Sequence, residues 1–309
     1  MKQISTISMS YEEWLSKRGE SIGASESGAI LGLNPWRTAV DVWIEKTGEI
    51  EPLEDNLNMR LGRDLEPIIQ KLFEEETGLK VRRDNKIRID DEYEFITTNL
   101  DGVVIGEKVP IEYKTMTKWD GEIPDYYFCQ IQHQMMVTNT PYCYFVVLVL
   151  GLNKQLVIEK YDRDDSFISK MRKELVHFWK ENVQKNVPPE IVSVDDAKKV
   201  YKDVDPESIL EADDVIFNML SEMDKFRHLK NKYDAKYKEM QKDVMVQMGN
   251  KESVEYNGIS FASWKQPKNS LRFDSKQFKK DHPNLYITYS KEVAGARRFN
   301  LKKIESYDE

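Results

Sequence analysis

The residues of this chain best placed to do phosphoryl chemistry are Asp101 and the tripeptide Glu112-Tyr113-Lys114. The stretch 109–115 alternates, which puts Ile111 and Tyr113 on one face of a short strand and Glu112 and Lys114 on the other. Asp101 stands on an Asp-Gly turn just before Val103-Val104-Ile105, which reads as a second strand, antiparallel or adjacent to the first. Two carboxylates hold a hard divalent cation through oxygen and leave its other positions to water and phosphate. Such an ion stabilises charge growing on phosphorus and acidifies a water. A neighbouring lysine can orient or deprotonate that water, or neutralise the transition state. A solvated strand face with a Glu–Lys surface pair is the competing reading.

Other residues suit the same chemistry. Glu66 precedes Pro67 inside a helical pattern. A proline kink there could aim the carboxylate, although taken by itself the residue reads more simply as a surface glutamate on a kinked helix. Arg18 and Ser25 flank the expected start of a helix, whose free N–H groups bind phosphate and beside which an arginine adds a bidentate charge. A cap plus a solvated arginine is the alternative. Gln130 and Gln132 lie in an expected helix over 124–138, and His133 beside them has no Cys or His at ligand spacing and reads as structural.

Four blocks come in sequence: Arg18-Gly-Glu-Ser-Ile-Gly-Ala-Ser25, Gly62-Arg-Asp-Leu-Glu66-Pro67, Asn99-Leu-Asp101-Gly with Glu112-x-Lys114, and Gln130-Ile-Gln132. In order and spacing they resemble the phage lambda exonuclease/YqaJ-like viral recombinase family, a branch of the restriction-endonuclease-like nucleases. The likeness spans about residues 10–190. It implies a Mg²⁺-dependent 5′→3′ exonuclease, with Mn²⁺ able to substitute, that degrades one strand of linear duplex DNA for recombination by single-strand annealing. It implies catalytic roles for Asp101, Glu112, Lys114 and Gln130, with Glu66 as a third acid beside Asp101 and Glu112 at the metal. It also implies a 5′-phosphate pocket from Arg18, Ser25 and Asn99, where some relatives have serine in place of the asparagine. Met59 falls where relatives present a wedge to the terminal base pair; core packing is its alternative. Implied partners are duplex DNA ends, a RecT/beta-like annealing protein and two further copies of the chain in a ring trimer. The competing functions are a structure-specific or RecB-like nuclease, and a DNA-end-binding recombination protein that has lost catalysis.

The elements that must position these residues read as an α/β fold, a mixed central sheet flanked by helices. Helices are expected over 11–17, 38–47, 58–77, 124–138 and 165–186, with Ser21 or Ser25 capping a further short helix before Gly32. Strands are expected over 80–89, 94–98, 102–105, 109–115, 142–150 and 154–161. Residues 188–206 read as a linker, 206–249 as a long helix and 253–264 as a hairpin over Asn257-Gly258. The division expected is a nuclease core over 1–190 and an accessory region over 191–309.

A hydrophobic content of 40% suffices for a core, and the longest apolar run, residues 142–150, is too short to cross a bilayer. The N-terminal residues show no signal-peptide pattern, and Cys129 and Cys143 form no disulfide framework. A cytoplasmic protein is expected. The net charge is −8, yet residues 265–303 hold eleven Lys/Arg against three acids, a local +8 that leaves −16 elsewhere. Basic residues interleaved with aromatics such as Phe273, Phe278 and Tyr289 suit nucleic acid, or equally a small packed module.

Overall fold

The longest apolar run of the sequence supplies Tyr142–Val149, an inner strand of a five-stranded sheet, as its near-continuous apolar character requires. The computed structural model describes residues 2–48, 56–293 and 295–304. The chain forms two units, Met1–Tyr201 and Lys202–Glu309. In chain order the first unit runs β1 (Lys2–Ser5), α1 (Tyr11–Gly19), a 3-10 turn (Ala24–Glu26), α2 (Ser27–Ile30), α3 (Ala39–Thr47) and α4 (Leu57–Thr77). It continues through β2 (Val81–Arg83), β3 (Lys86–Ile89), β4 (Thr97–Thr98), β5 (Gly102–Val104), β6 (Pro110–Met116) and α5 (Asp125–Thr138). It ends with β7 (Tyr142–Val149), β8 (Gln155–Asp162), α6 (Asp165–His177), a π-helical turn (Phe178–Val183) and α7 (Val194–Val200).

The main sheet has the order β2-β5-β6-β7-β8, and only β6 and β7 run parallel. Helix α5 is the crossover that a parallel pair needs. Because side chains alternate along β6, Ile111 and Tyr113 join Ile69 and Phe73 of α4 in one core. The other sheet face packs Phe145 and Val147 of β7 against Ile131 and Met135 of α5. The N-terminal segments and α6 cover the far side of α5 through Ile22, Ala29, Val42, Met171 and Leu175. The close approach of α2 to α5 depends on Gly28, where an added Cβ would lie 2.8 Å from Tyr126 Cβ and 2.9 Å from its Cα.

Thus α5 is buried on two sides although its sequence is not apolar all round. Gln132, His133 and Gln134 are fully buried, so each must find a partner. Gln132 donates to Asp162 O (2.9 Å) and accepts from Asp164 N–H (2.9 Å). His133 joins Thr97 O through Nε2 (3.0 Å) and Ser27 Oγ through Nδ1 (2.6 Å). Gln134 turns to the sheet.

Several elements differ from the sequence expectation. Residues 80–89 are two strands in different sheets: β2 pairs with β5, and β3 with β1 and β4. Strand β1 was not expected at all. Neither Ser21 nor Ser25 caps the helix before Gly32; Glu26 Oε2 accepts from Gly23 N–H instead (2.8 Å). The helix expected over 165–186 becomes α6 plus the π-turn, which turns both Phe178 and Trp179 inward, Trp179 stacking on Phe95 at 5.2 Å. The expected linker contains α7, tied to α3 by Thr38 Oγ1 donating to Asp196 (2.8 Å) and Lys199 to Asp41 (2.5 Å). The first unit accordingly extends past Glu190 to Tyr201.

The second unit holds α8 (Asp214–Met248), β9 (Ser253–Tyr256), β10 (Ile259–Ser263), α9 (Ser275–Asp281) and α10 (Pro283–Thr288). Helix α8 starts later than residue 206, at the Asp213 cap, whose side chain accepts from Ile216 N–H (2.8 Å). The hairpin turns over Asn257 (φ 51°) and Gly258 (φ 76°), the left-handed pair that suits a two-residue loop. No helix among the described residues is long and apolar enough to cross a membrane.

Burial holds the His133 imidazole down to about 4, so it folds neutral. The unfolded chain then takes up a proton near pH 6.5 that the native chain refuses until about pH 4. The His133 contribution is therefore intact above pH 6.5 and lost as pH falls through that window, at up to about 1.4 kcal/mol per pH unit. A proton NMR titration should show one imidazole neutral to about pH 4, and urea melts should show the matching loss. An imidazole set titrating wholly near 6.5 would refute it.

Candidate active site

Strand β6 carries the chemistry as its alternation requires. Glu112 and Lys114 emerge on the face toward α5, with Lys114 Nζ donating to Glu112 Oε1 at 2.5 Å. Glu112 is only 2% exposed. Its compensation comes from three donors: Lys114 and Gln130 Nε2 (2.6 Å) on Oε1, and Gln134 Nε2 (2.6 Å) on Oε2. Gln130 thus touches Glu112 as its helix position allows. Gln132, the other glutamine considered, points away to Asp162 and Asp164. Gln134 was missed. Its signal was present, since residues 130 and 134 are four apart and share a helix face.

Asp101 lies at the start of β5, antiparallel to β6, with Gly102 opposite Ile111. Asp101 Oδ2 accepts from Tyr113 N–H at 2.8 Å. Burial, then repulsion from Glu112, holds the Asp101 carboxyl well above the usual carboxylate range, against the pull of Lys114. Burial alone would lower Lys114, but the Glu112 and Asp101 charges outweigh it and raise its pKa, so the ammonium stays protonated. The Lys114 Nζ also stands 4.8 Å over the Tyr127 ring.

A cleft of about 230 Å³ joins these residues to the N-terminal segment. Asp101, Glu112, Lys114 and Gln130 line one part; Arg18, Ser25 and Asn99 line the other, with Trp14 and Lys17 beside them. Asn99 Nδ2 donates to Lys86 O (3.1 Å). Arg18 stacks over Trp14 at 5.5 Å. Seven of the residues singled out in the sequence therefore meet in one cavity. Glu66 and Met59 do not line it. Glu66 acts at longer range: burial pushes its carboxyl up, Arg83 opposes, and Glu112 adds to the rise. Met59 is exposed on the first turn of α4, so core packing does not account for it.

The donor set suits a hard cation. Asp101 and Glu112 bring oxygen ligands and an excess of negative charge that a divalent ion would relieve. Among the described residues no three acidic, His or Cys side chains converge to enclose an ion. Two carboxylates would leave several positions of such an ion to water and substrate.

Two substitutions should move stability in opposite directions in metal-free protein. A carboxyl raised by burial costs stability when ionised at neutral pH, so Asp101→Asn should melt at or above the wild type. Gln134→Met strands Glu112 Oε2 and should destabilise by about 1.5–3 kcal/mol. Mg²⁺ should raise the wild-type melting temperature and leave Asp101→Asn unmoved. Calorimetry with and without the ion decides; a clearly destabilised Asp101→Asn would count against the assignment.

Residues 13–141 match the family model of the YqaJ-like viral recombinase domain. The chain is 32% identical to the uncharacterized protein YqaJ of Bacillus subtilis (strain 168), across 96% of this chain and 95% of that one. Among solved structures, it is similar to an alkaline exonuclease of Laribacter hongkongensis, with TM-score 0.49 and 24% identity over 57% of this chain and 94% of that one. A phage-related exonuclease from Haemophilus somnus 129PT has TM-score 0.40 and 19% identity over 54% and 95%. With its relative matched almost end to end and the family model spanning the segment that builds the cleft, this chain belongs to the YqaJ-like viral recombinase family.

Proposed function

We propose that this protein is a Mg²⁺-dependent 5′→3′ exonuclease that degrades one strand of linear duplex DNA to expose the other for annealing. The observation that carries the reading is the shared cleft: an arginine and a serine at one part, two carboxylates and a lysine at the other. One end suits a terminal phosphate, the other a phosphodiester undergoing hydrolysis. When bound at Asp101 and Glu112, Mg²⁺ supplies polarisation of the phosphate and a more acidic water.

The chain's own groups have separable tasks. Lys114 keeps its proton, which favours charge stabilisation or water orientation over general-base catalysis. Gln130, with a donor and an acceptor on one amide, can hold the attacking water or a phosphate oxygen. Glu66 biases the field at Glu112 and would add negative charge near an ion held by Asp101 and Glu112. Arg18, Ser25 and Asn99 register the 5′-phosphate, and so the strand to be cut. Met59, exposed on its helix, suits a wedge at the terminal base pair. A ring trimer around the duplex would suit a protein of net charge −8, because topological linkage replaces salt-sensitive phosphate contacts. The displaced strand would then pass to a RecT/beta-like annealing protein.

Digestion of defined linear duplexes tests this. Cleavage should need Mg²⁺ or Mn²⁺, spare closed circles and fail with Ca²⁺. Glu112→Ala should abolish it, and Lys114→Ala should cost on the order of 10²–10⁴ in rate with DNA affinity kept. Phosphorylated 5′ ends should be cut faster than hydroxyl ends, and Arg18→Ala should erase that preference. Near-normal digestion by Glu112→Ala would overturn the site. Light scattering should return a mass near three chains; a strict monomer would remove the ring.

A further inference from the structure

Glu26 lies outside the cleft and is fully buried, yet three cations surround it. Its Oε1 accepts from Lys46 Nζ at 2.8 Å and pairs with Arg18 Nε at 3.6 Å and Arg37 Nη2 at 3.8 Å. Its Oε2 accepts from Gly23 N–H at 2.8 Å. Lys46, itself 1% exposed, also donates to Arg18 O at 2.7 Å. Burial disfavours the Glu26 charge, but Lys46, Arg18 and Arg37 outweigh it, so the carboxyl stays ionised.

Only Arg18 of the three cations lines the cleft, and Ala24 and Ser25 beside Gly23 line it too. Glu26 therefore contacts both components of the proposed phosphate pocket, a guanidinium and a stretch of backbone. It engages Arg18 through Nε, the nitrogen nearest the backbone, which leaves the two terminal nitrogens as the outer end of the fork. Arg18, Arg37 and Lys46 against Glu26 and against Glu45, which pairs with Arg37 at 2.5 Å, leave this end of the cleft one charge positive. At the other end two carboxyl groups, Asp101 and Glu112, face the single ammonium of Lys114.

We propose that Glu26 is a positioning residue for end selection: it fixes Arg18 and the 23–25 backbone as one cradle for a terminal phosphate without touching the DNA. This rests on the phosphate-pocket reading above. Without the carboxylate, like charges repel and Lys46 is left buried and unpaired. Arg18 then samples several poses, and a misplacement near 1 Å is worth up to about a hundredfold in rate.

The test uses the full chain, Mg²⁺ and linear duplexes that differ only in a 5′-phosphate or 5′-hydroxyl. Glu26→Gln keeps the shape and removes the charge. The phosphate-to-hydroxyl ratio of kcat/KM should fall roughly tenfold to a hundredfold, mostly through KM on phosphorylated ends, and Glu26→Asp should recover part of it. Because breaking a buried ion pair can unfold a protein, Glu26→Gln with Lys46→Met, which removes one charge of each sign, serves as the folded control and should show the same fall. Equal losses on both end types, or a wild-type ratio in the folded double variant, would overturn the proposal. Anisotropy with both end types in Ca²⁺ separates it from the nuclease reading. Preferential binding of phosphorylated ends, lost in Glu26→Gln, supports the positioning role even if no cleavage occurs. A wild type without phosphate preference in either assay overturns that role, whether or not Mg²⁺-dependent cleavage is seen.

Discussion

A carboxylate sealed at the centre of the first unit sets the terms for everything around it. Glu112 has almost no water, and an ion removed from water costs several kcal/mol unless it is paired and hydrogen-bonded. Its three donors come from two elements only: Lys114 on its own strand, and Gln130 and Gln134 on α5. Satisfying Glu112 therefore fixes both the rotation and the height of α5 above β6. Once α5 is placed, its remaining polar residues must be answered by the layer on its far side. Thr97 and Ser27 meet His133, and the end of β8 meets Gln132. The charged centre and the helical layer outside it are thus joined through α5, which carries both sets of hydrogen bonds on different faces.

That arrangement polarises the cleft. The sheet contributes acids, and the N-terminal helices contribute bases organised on Glu26. Carboxyl groups and cations thus face one cavity from its two sides. The net charge of the chain says little about this, because the relevant quantity is where each charge is held.

Much of this was legible from local pattern. The period-two alternation at Ile111–Lys114 predicted which side chains share a face, and the structure has them so. The helix ends before Gly48 and Gly78 were readable, because they depend on near neighbours in sequence. What was hidden depends on distant partners. The break between β2 and β3 follows from pairing with β5 and β1, not from the run 80–89 itself. Helix α7 is held by Thr38 and Asp41, more than 150 residues earlier, and its sequence alone reads as linker. That Gln134 joins Gln130 on Glu112, while Gln132 turns to the end of β8, follows from how α5 is set on the sheet. Glu26 gave no signal, because a glutamate between two serines reads as surface until three cations from other elements converge on it.

Gly28 has a reach that its size conceals. It permits α2 to lie against the first turn of α5 at Tyr126. The residues immediately before it, Ser25 to Ser27, respectively line the cleft, gather its cations and bind His133. A single methyl group at position 28 would act as a wedge between two layers and would tilt all three at once, from a place outside the cleft. The spacing of one helix pair is thus the mechanical adjustment of the cavity, and sequence drift at this glycine would retune the protein's grip without altering any residue in the cleft.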